Sequence, residues 1–284
     1  MTLDSEITLR EAGQDDRENV FRVELLSTPN LSYLPYVWNL FINDRKGEWT
    51  VAEIDGEVIG CGKYSLLPDG SAWLETLRVV PQWQGIGVGK RFYEHWFNLS
   101  RKKGVKTMRM YTGVKNTASR GLAIRYGLRP EETFRGTLIN SDSVKAESDW
   151  SFNRVTDSRK AKRLLMRHTE LWGGWVVMNR TFYRMSPELC IHLTEEGMVH
   201  EDPETNSVIV LGTRFNPKHG LHIGLFAGDV EACLCFALQM AVKGGIGKLH
   251  CLFPSYTTGV EEALTRFGFH REPTDFLVME ANLA

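Results

Sequence analysis

Three glycines on alternate positions precede a predicted helix in the stretch "VVPQWQGIGVGKRFYEHW", residues 79–96. The N-terminus of a helix carries unpaired N–H groups and about half a positive charge, so it binds anions and above all phosphate. Glycines bring such N–H groups close to a ligand, because no side chain stands between them. Gly85, Gly87 and Gly89 therefore predict a phosphate-binding loop, with a pyrophosphate as the expected ligand.

The two common nucleotide-binding loops do not fit these residues. A Walker-type loop needs a hydroxyl residue after its lysine to bind magnesium, but Lys90 is followed by Arg91. A dinucleotide-binding loop needs an acid at the end of the next strand, and "VKTMRMYTG" contains none. The remaining alternative is structural: the glycines would only permit tight packing between strand and helix.

The glycine loop resembles that of the Gcn5-related N-acetyltransferase (GNAT) superfamily. Its Q/R-x-x-G-x-G/A motif is matched by Gln82, Gly85 and Gly87. The strand "LETLRVVP", the helix after the loop, the next strand, the helix at Asn116 and the closing "GLRPEE" follow the order of that superfamily over residues 6–140. The resemblance implies an α/β GNAT fold, with a mixed, mostly antiparallel sheet flanked by helices.

The same resemblance implies acetyl-CoA as cosubstrate, with no metal. The pyrophosphate would be held by the loop residues Gln84, Gly85, Ile86, Gly87, Val88, Gly89 and Lys90. The strand segment Leu77, Arg78 and Val79 would pair with the pantetheine arm through the backbone of its first and last residues, as an added strand does. Asn116 and Ser119 would lie along that arm.

Acetyl transfer to an amine needs a group that removes a proton, because amines are mostly protonated at neutral pH. Glu75 lies where several GNAT members have their catalytic carboxylate. The alternative is a carboxylate that only binds the incoming ammonium group or lies in solvent. With no cysteine in the motif positions, direct transfer without a covalent acyl-enzyme is expected.

The tyrosine that protonates the departing thiolate in many GNAT members is absent. Ala123 occupies its position. Tyr126, just before Gly127, is expected to pack inward and so cannot replace it. Tyr111 is a weaker candidate for the acid.

The acceptor is suggested by the region before the first hairpin. Its aromatic residues could line a pocket or fill the core: Tyr33, Tyr36, Trp38 and Phe41. The "YLP" segment, the "LRVVP" entry to the loop and a degenerate second half are similar to the histidine N-acetyltransferase group, which implies a free amino acid or another small amine. A protein amine, an aminoglycoside, or a sensor module that binds acyl-CoA without turnover remain alternatives.

The second half of the chain is predicted to be a degenerate copy of the first. "GLRPEETF" is echoed by "GFHREPTDF", and the polar stretch "NSDSVKAESDWS" separates the halves. These features predict a catalytic GNAT domain over residues 1–142 and a GNAT-like domain without the glycine loop over residues 150–284. In the second domain, "GGWVVMNRTFY" is predicted as a single strand.

Composition favours a soluble globular protein with a small molecule as its partner. The chain has 284 residues, 42% hydrophobic and 24% charged, with a formal net charge of −1. These values give no support for nucleic-acid or membrane partners, and a homodimer stays open. An acidic N-terminus without a signal peptide predicts the cytoplasm. The five cysteines are expected in the core, and His219 and His222 in a surface loop rather than a metal site.

Overall fold

The structure, a computed structural model, describes residues 6–142, 150–215 and 220–283. Its helices are α1 (Arg17–Ser27), α2 (Leu34–Ile42), α3 (Val88–Lys103), α4 (Thr117–Arg125), α5 (Ser158–Met166), α6 (Pro187–Glu195), α7 (Val230–Lys243) and α8 (Thr258–Phe267). Its strands are β1 (Thr8–Glu11), β2 (Glu48–Ile54), β3 (Glu57–Leu66), β4 (Ala72–Val79), β5 (Thr107–Gly113), β6 (Arg129–Asn140), β7 (Asn153–Arg154), β8 (Trp175–Met178), β9 (Thr181–Arg184), β10 (Val199–Asp202), β11 (Ser207–Gly212), β12 (Leu221–Ala227), β13 (Lys248–Pro254), β14 (His270–Arg271) and β15 (Phe276–Asn282).

The chain divides into two compact units. The first contains Met1–Glu131 together with Met279–Ala284, and the second contains Glu132–Val278. The units group residues by contact, whereas the domains predicted at 1–142 and 150–284 follow the sequence repeat. That domain division stays a prediction, and most of the predicted boundary, residues 143–149, lies outside the described residues.

The first unit is built on an antiparallel meander that ends in a parallel pair. β1, β2, β3 and β4 pair antiparallel in that order, and β4 pairs parallel with β5. The turn between β2 and β3 has positive φ at both central residues, 50° at Asp55 and 80° at Gly56. Such a turn matches the twist of a two-stranded hairpin, as the Asp-Gly pair predicts.

One face of this meander packs against α3, and the predicted catalytic carboxylate lies on the other face. On one face Gly62 lies under Trp96 of α3, since a Cβ at Gly62 would stand 2.6 Å from the indole. Tyr64 on the same face shares a hydrogen bond with Ser100 of α3. Alternation along β3 turns Cys61, Lys63 and Ser65 to the opposite face. That second face is the one on which the predicted catalytic carboxylate lies.

The second unit repeats the strand-helix order of the first. β12, α7, β13 and α8 follow one another as β4, α3, β5 and α4 do, and β12 pairs parallel with β13. On β12 the register against β11 shifts around Gly224, so that this strand contains one extra residue. The mixed α/β architecture, with a second unit that repeats the strand-helix order of the first, agrees with the sequence prediction.

Three features of the second unit differ from the sequence prediction or add to it. "GGWVVMNRTFY" is a hairpin rather than one strand, because Asn179 and Arg180 form a turn with φ of 49° and 58° between β8 and β9. α5 and β10 were not predicted. His222 is a buried residue of β12 and not part of a surface loop, while His219 lies outside the described residues.

Candidate active site

A β-bulge in β4 opens the sheet next to the glycine loop. Cys61 pairs with Arg78, and Lys63 pairs with Glu75. Between these two pairs β4 contains one more residue than β3. Thr76 in the bulge has a φ of 57°, an unusual value for a β-branched residue. The parallel pairing of β4 with β5 ends at Leu74 and Met110, just before the bulge. β4 therefore leaves β5 and an open strand edge follows.

Val79 presents its backbone groups to that open edge. Val80 donates its N–H to the Ile59 carbonyl of β3, so the N–H and carbonyl of Val79 point away from β3. Leu77 lies within the bulge, and its pairing with the arm stays a prediction. The Gln84 side chain donates to the Val79 carbonyl at 2.9 Å, which places the start of the glycine loop at the same edge.

The glycine loop ends at a helix N-terminus that is open to a ligand. Gly85 and Gly87 have φ values of 83° and 104°, which favour glycine, and a Cβ on either would meet nothing within 4 Å. Gly87 is the N-cap of α3 and provides no side-chain cap. The N–H groups of the first turn thus have no side-chain cap and lie beside two glycines with open space around them, which fits a phosphate group.

The other loop residues are either exposed to solvent or packed against the core. Gln84, Ile86 and Lys90 are exposed, whereas Val88 is buried in the core. Gly89 has a packing role, because a Cβ there would stand 2.9 Å from the Leu122 side chain of α4. The structural alternative for the glycines therefore holds for Gly89 and not for the two positive-φ positions.

Asn116 caps the helix on the other side of the predicted arm. Its Oδ1 accepts a hydrogen bond from the N–H of Ser119 at 3.1 Å, as an N-cap side chain does. Asn116 is exposed and Ser119 half-buried. Their predicted contacts with the coenzyme stay predictions.

Glu75 is buried at the point where β4 and β5 separate. It is 8% exposed, and Ser65 donates a hydrogen bond to its Oε1 at 2.7 Å. Lys63 is its cross-strand neighbour. The carboxylate thus lies where β4 and β5 separate, on the side of the bulge away from the glycine loop.

Tyr111 lies beside the same opening. Its ring stacks on Trp73 with 6.0 Å between centroids and an angle of 7° between planes. Ala123 is fully buried. Tyr126 donates its hydroxyl to Glu94 and to the Lys90 carbonyl, both at 3.1 Å, so its hydroxyl is engaged with α3. Tyr111 remains the candidate acid, as predicted from the sequence.

Two buried ion pairs near the site were not predicted. Arg78, placed by the sequence among the coenzyme-binding residues, directs its guanidinium to Glu24 of α1 at 3.2 Å. A coenzyme contact of Arg78 would therefore use its backbone. Lys63, with no exposed side-chain surface, donates to Asp44 Oδ2 at 2.6 Å. Burial raises the pKa of Asp44, but the hydrogen bond and the charge of Lys63, together with the N–H groups of Gly47 and Lys46, outweigh it, so this pKa lies below its ordinary value.

The cysteines of the chain are mostly buried and form no disulfide. Four cysteines are buried and Cys235 is half-buried, and all are free thiols. Burial raises the pKa of Cys61 to about 12, so this thiol is a poor nucleophile. Within residues 6–142, 150–215 and 220–283, no group of three or more His, Cys, Asp or Glu is arranged to hold a metal. No helix in these ranges is long and apolar enough to cross a membrane.

Solved acetyltransferase structures share this architecture over nearly the whole chain. A GCN5-related N-acetyltransferase from Sphaerobacter thermophilus is similar with a TM-score of 0.67 and 14% identity, covering 98% of this chain and 96% of that one. A tandem GNAT protein from the clavulanic acid biosynthesis pathway has a TM-score of 0.62 and 13% identity, covering 98% and 99%. A GCN5-related N-acetyltransferase from Kribbella flavida has a TM-score of 0.56 and 13% identity, covering 99% and 72%.

No match was found among curated protein sequences. One segment of the chain contains the glycine loop, the bulge, α3 and α4. That segment, residues 15–128, matches the model of the Acetyltransferase (GNAT) family, and the chain has the fold of that family.

Proposed function

We propose that this protein transfers the acetyl group of acetyl-CoA to the amine of a small molecule, with a free amino acid as the preferred acceptor. The observation that carries the proposal is the separation of β4 from β5 beside an uncapped, glycine-lined helix N-terminus. This arrangement offers strand hydrogen bonds to an extended arm and N–H groups to a pyrophosphate in one continuous path.

Acetyl-CoA supplies an activated thioester, and the residues of the first unit bind and orient it. The glycine loop and Lys90 would hold the pyrophosphate, with Lys90 adding a charge to the N–H groups. Leu77 and Val79 would pair with the arm, and Asn116 and Ser119 would border it. The arm would then run toward the bulge, where Glu75 and Tyr111 lie.

The chemistry proceeds by direct transfer. Glu75 removes a proton from the incoming ammonium, directly or through a water molecule, and the neutral amine attacks the thioester carbonyl. The C–N bond forms, the attacking nitrogen loses its second proton to solvent as the C–S bond breaks, and the thiolate takes a proton from Tyr111 or from solvent, which leaves a neutral amide and a free thiol. Coenzyme A thiol is acidic enough to leave without full protonation near neutral pH, so Ala123 at the usual tyrosine position does not preclude the reaction.

The proposed acceptor is a free amino acid. Similarity of "YLP" and "LRVVP" to the histidine N-acetyltransferase group supports a free amino acid. Proteins and aminoglycosides are the alternative acceptors of the same enzyme.

A second candidate function is an acyl-CoA sensor without turnover. Ala123 supports it, because a buried methyl group stands where many GNAT members have their acid. Binding is expected in both cases, so turnover separates them.

The experiment is thiol release from acetyl-CoA, followed colorimetrically across free amino acids including histidine, polyamines, aminoglycosides and lysine peptides. Saturable release with one class supports the transferase and identifies its acceptor class. Stabilisation of the protein by acetyl-CoA without release for any amine supports the sensor instead.

A further inference from the structure

Lys63 of β3 has no exposed side-chain surface, and it lies directly across the strands from the candidate base. Lys63 and Glu75 are partners in the antiparallel pairing of β3 with β4, so their side chains leave the same face of the sheet. The Cβ atoms of two residues in this relation are about 4.5–5.5 Å apart. A cation and an anion are thus cross-strand neighbours inside the first unit.

The ammonium group of Lys63 has a second carboxylate as its ion-pair partner. Its Nζ donates to Asp44 Oδ2 at 2.6 Å and lies 5.8 Å from the centre of the Phe41 ring. A Cβ at Gly47 would stand 2.7 Å from this Nζ, so the glycine leaves the space that the ammonium group fills. One buried cation therefore pairs with Asp44 and has Glu75 as its cross-strand neighbour.

The two members of the ion pair differ in burial. The Asp44 side chain keeps 24% of its surface exposed, whereas the Lys63 side chain keeps none. A buried lysine costs desolvation energy, and attachment of the segment after α2 would not need it, because an exposed lysine can pair with the same carboxylate. The carboxylate across the strands gives the buried cation a role, since two charges attract most strongly where water is excluded.

Other charged and titratable groups lie on the same face of the sheet. Two further cations form pairs of their own there: Arg78 with Glu24, and Arg109 with Asp69 and Glu280. Ser65 donates a hydrogen bond to Glu75 at 2.7 Å but carries no charge. Cys61 and Tyr111 also lie on this face. Lys63 is the cation that the strand register places opposite Glu75.

We propose that Lys63 is a positioning residue that acts through Glu75: its charge holds the Glu75 carboxylate in the ionised form that accepts a proton from the acceptor ammonium. This inference rests on the proposed function, because it concerns the base of that reaction. When Glu75 accepts the proton, Lys63 keeps its own proton and its pair with Asp44. The buried cation therefore has a carboxylate partner throughout the reaction.

Lys63→Met tests the charge, because methionine retains most of the side-chain length without the ammonium group. The double variant Lys63→Met/Asp44→Asn removes both members of the pair, so that neither is left without its partner. Asp44→Asn alone keeps the lysine charge. Asp16→Asn is the matched control, since Asp16 is a 5% exposed carboxylate of the same unit whose partner is Arg10 of β1.

The readout on the full-length chain is the pH profile of kcat/KM between about pH 4 and 8, with the panel amine that gives the fastest thiol release. The amine is the same in every assay, so a shift of the profile between variants belongs to the enzyme. The Kd for acetyl-CoA is measured beside it and should stay within about twofold in every variant, because the glycine loop is untouched.

Both variants without the lysine charge should move the acid limb of this profile upward by about one pH unit, because a carboxylate that loses a neighbouring cation takes up a proton more readily. Below the limb kcat/KM then falls about tenfold, and above it the value recovers. Asp44→Asn should leave the limb in place or move it to lower pH, since the lysine charge remains. Asp16→Asn should leave it in place.

A background without Glu75 shows whether Lys63 acts through that residue. Lys63→Met should lower kcat/KM by less than about twofold when Glu75→Gln is already present. A larger further loss would overturn the proposal. An acid limb that does not rise in Lys63→Met, or that rises equally in Asp44→Asn, would do the same.

The proposed function can fail separately from this inference. If the wild-type chain releases no thiol with any amine, the transferase proposal fails by itself. The carbon NMR signal of the Glu75 carboxyl group, identified by its absence from Glu75→Gln, then decides on Lys63. A higher titration midpoint in Lys63→Met than in wild type supports the role of its charge, and equal midpoints would overturn it.

Discussion

Glu75 is the residue on which the proposed chemistry depends most. Its burial beside Ser65 at the opening of the sheet suits a base that works in a site shielded from water. Glu75→Gln should lower kcat by roughly 100-fold or more at pH 7, because the acceptor ammonium loses its proton acceptor. The loss should shrink at high pH, where free amine is abundant. Steady-state kinetics from pH 7 to 10 would measure this, together with the acetyl-CoA Kd, which should not change.

Ser65→Ala is the companion variant. It removes the hydrogen bond to Glu75 and keeps the carboxylate, so a much smaller loss of kcat is expected. Full activity of Glu75→Gln at pH 7 would remove Glu75 from catalysis and leave it a carboxylate that binds the substrate.

Gly87 tests the phosphate loop at a single position. A glutamate there should abolish measurable acetyl-CoA binding, because its side chain and charge would enter the space expected for the pyrophosphate. The φ of 104° adds strain of about 1–2 kcal/mol. Gly104→Glu is the control: Gly104 caps the other end of α3 with a φ of 66° and has nothing within 4 Å of its Cβ position.

Calorimetric titration of both folded variants gives the comparison. Gly104→Glu also places a side chain at positive φ, with less strain because 66° lies within the left-handed α region, and it should retain wild-type affinity for acetyl-CoA. Equal affinity of the two variants would refute the loop assignment.

At the residue scale, local patterns predicted more than long-range pairs. Gly85 and Gly87 were predictable because positive φ and a bare helix start leave a signature within a few residues. The pairs of Lys63 with Asp44 and of Glu24 with Arg78 were not, because each joins residues distant in sequence. Arg78 lay inside a motif segment, and the direction of its side chain depends on the bulge at Thr76.

At the element scale, strands and helices with strong turn or cap signals agree with the structure. The hairpin at Asp55 and Gly56 and the helix ending at Gly104 are examples. The turn at Asn179 and Arg180 contains no glycine, so the β8–β9 hairpin was mistaken for one strand. α5 was missed because basic residues dominate "SRKAKRLLM" and hide its narrow apolar stripe.

The ion pair between Lys63 of β3 and Asp44 makes a prediction about stability. Asp44→Asn should lower the free energy of unfolding by about 3 kcal/mol at pH 7, because it removes the negative charge that pairs with the buried Lys63 cation. The native pKa of Asp44 is depressed, so its contribution is present above the unfolded pKa of about 4 and is lost as pH falls through the native value.

Urea unfolding of wild type and Asp44→Asn at several pH values would measure this difference. The gap between them should be constant near neutrality and close below pH of about 4. A gap that is absent at pH 7, or that widens in acid, would contradict the assigned ion pair.

At the scale of the whole molecule, the end of the chain contributes to the first unit. Glu280 accepts from Arg109 of β5 at 2.5 Å, and Arg109 also pairs with Asp69 at 2.7 Å. Arg109 is 6% exposed, so loss of one partner should be costly. Glu280→Gln should reduce unfolding stability by about 2 kcal/mol, measured by urea titration, while acetyl-CoA affinity stays unchanged. Unchanged stability would mean that this contact contributes little to the unit.

The two halves differ where a phosphate would bind. The α3 N-terminus has no side-chain cap, whereas in α7 the Asp229 carboxylate accepts from the Ala232 N–H at 3.0 Å. A carboxylate already placed at that helix start repels a second anion. The hairpin strand β8 also lies against β12, where a Cβ at Gly224 would stand 2.8 Å from Val176 and from Met178. The sequence repeat predicted this second unit and its lack of a glycine loop, but not the packing of β8 on β12.

Calorimetric titration of acetyl-CoA into the full-length wild-type chain tests the central claim most directly. The glycine loop of the first unit and the capped helix of the second predict saturable binding with one site per chain. Absence of binding would contradict the coenzyme site in the first unit, and two equivalent sites per chain would contradict the difference between its two halves.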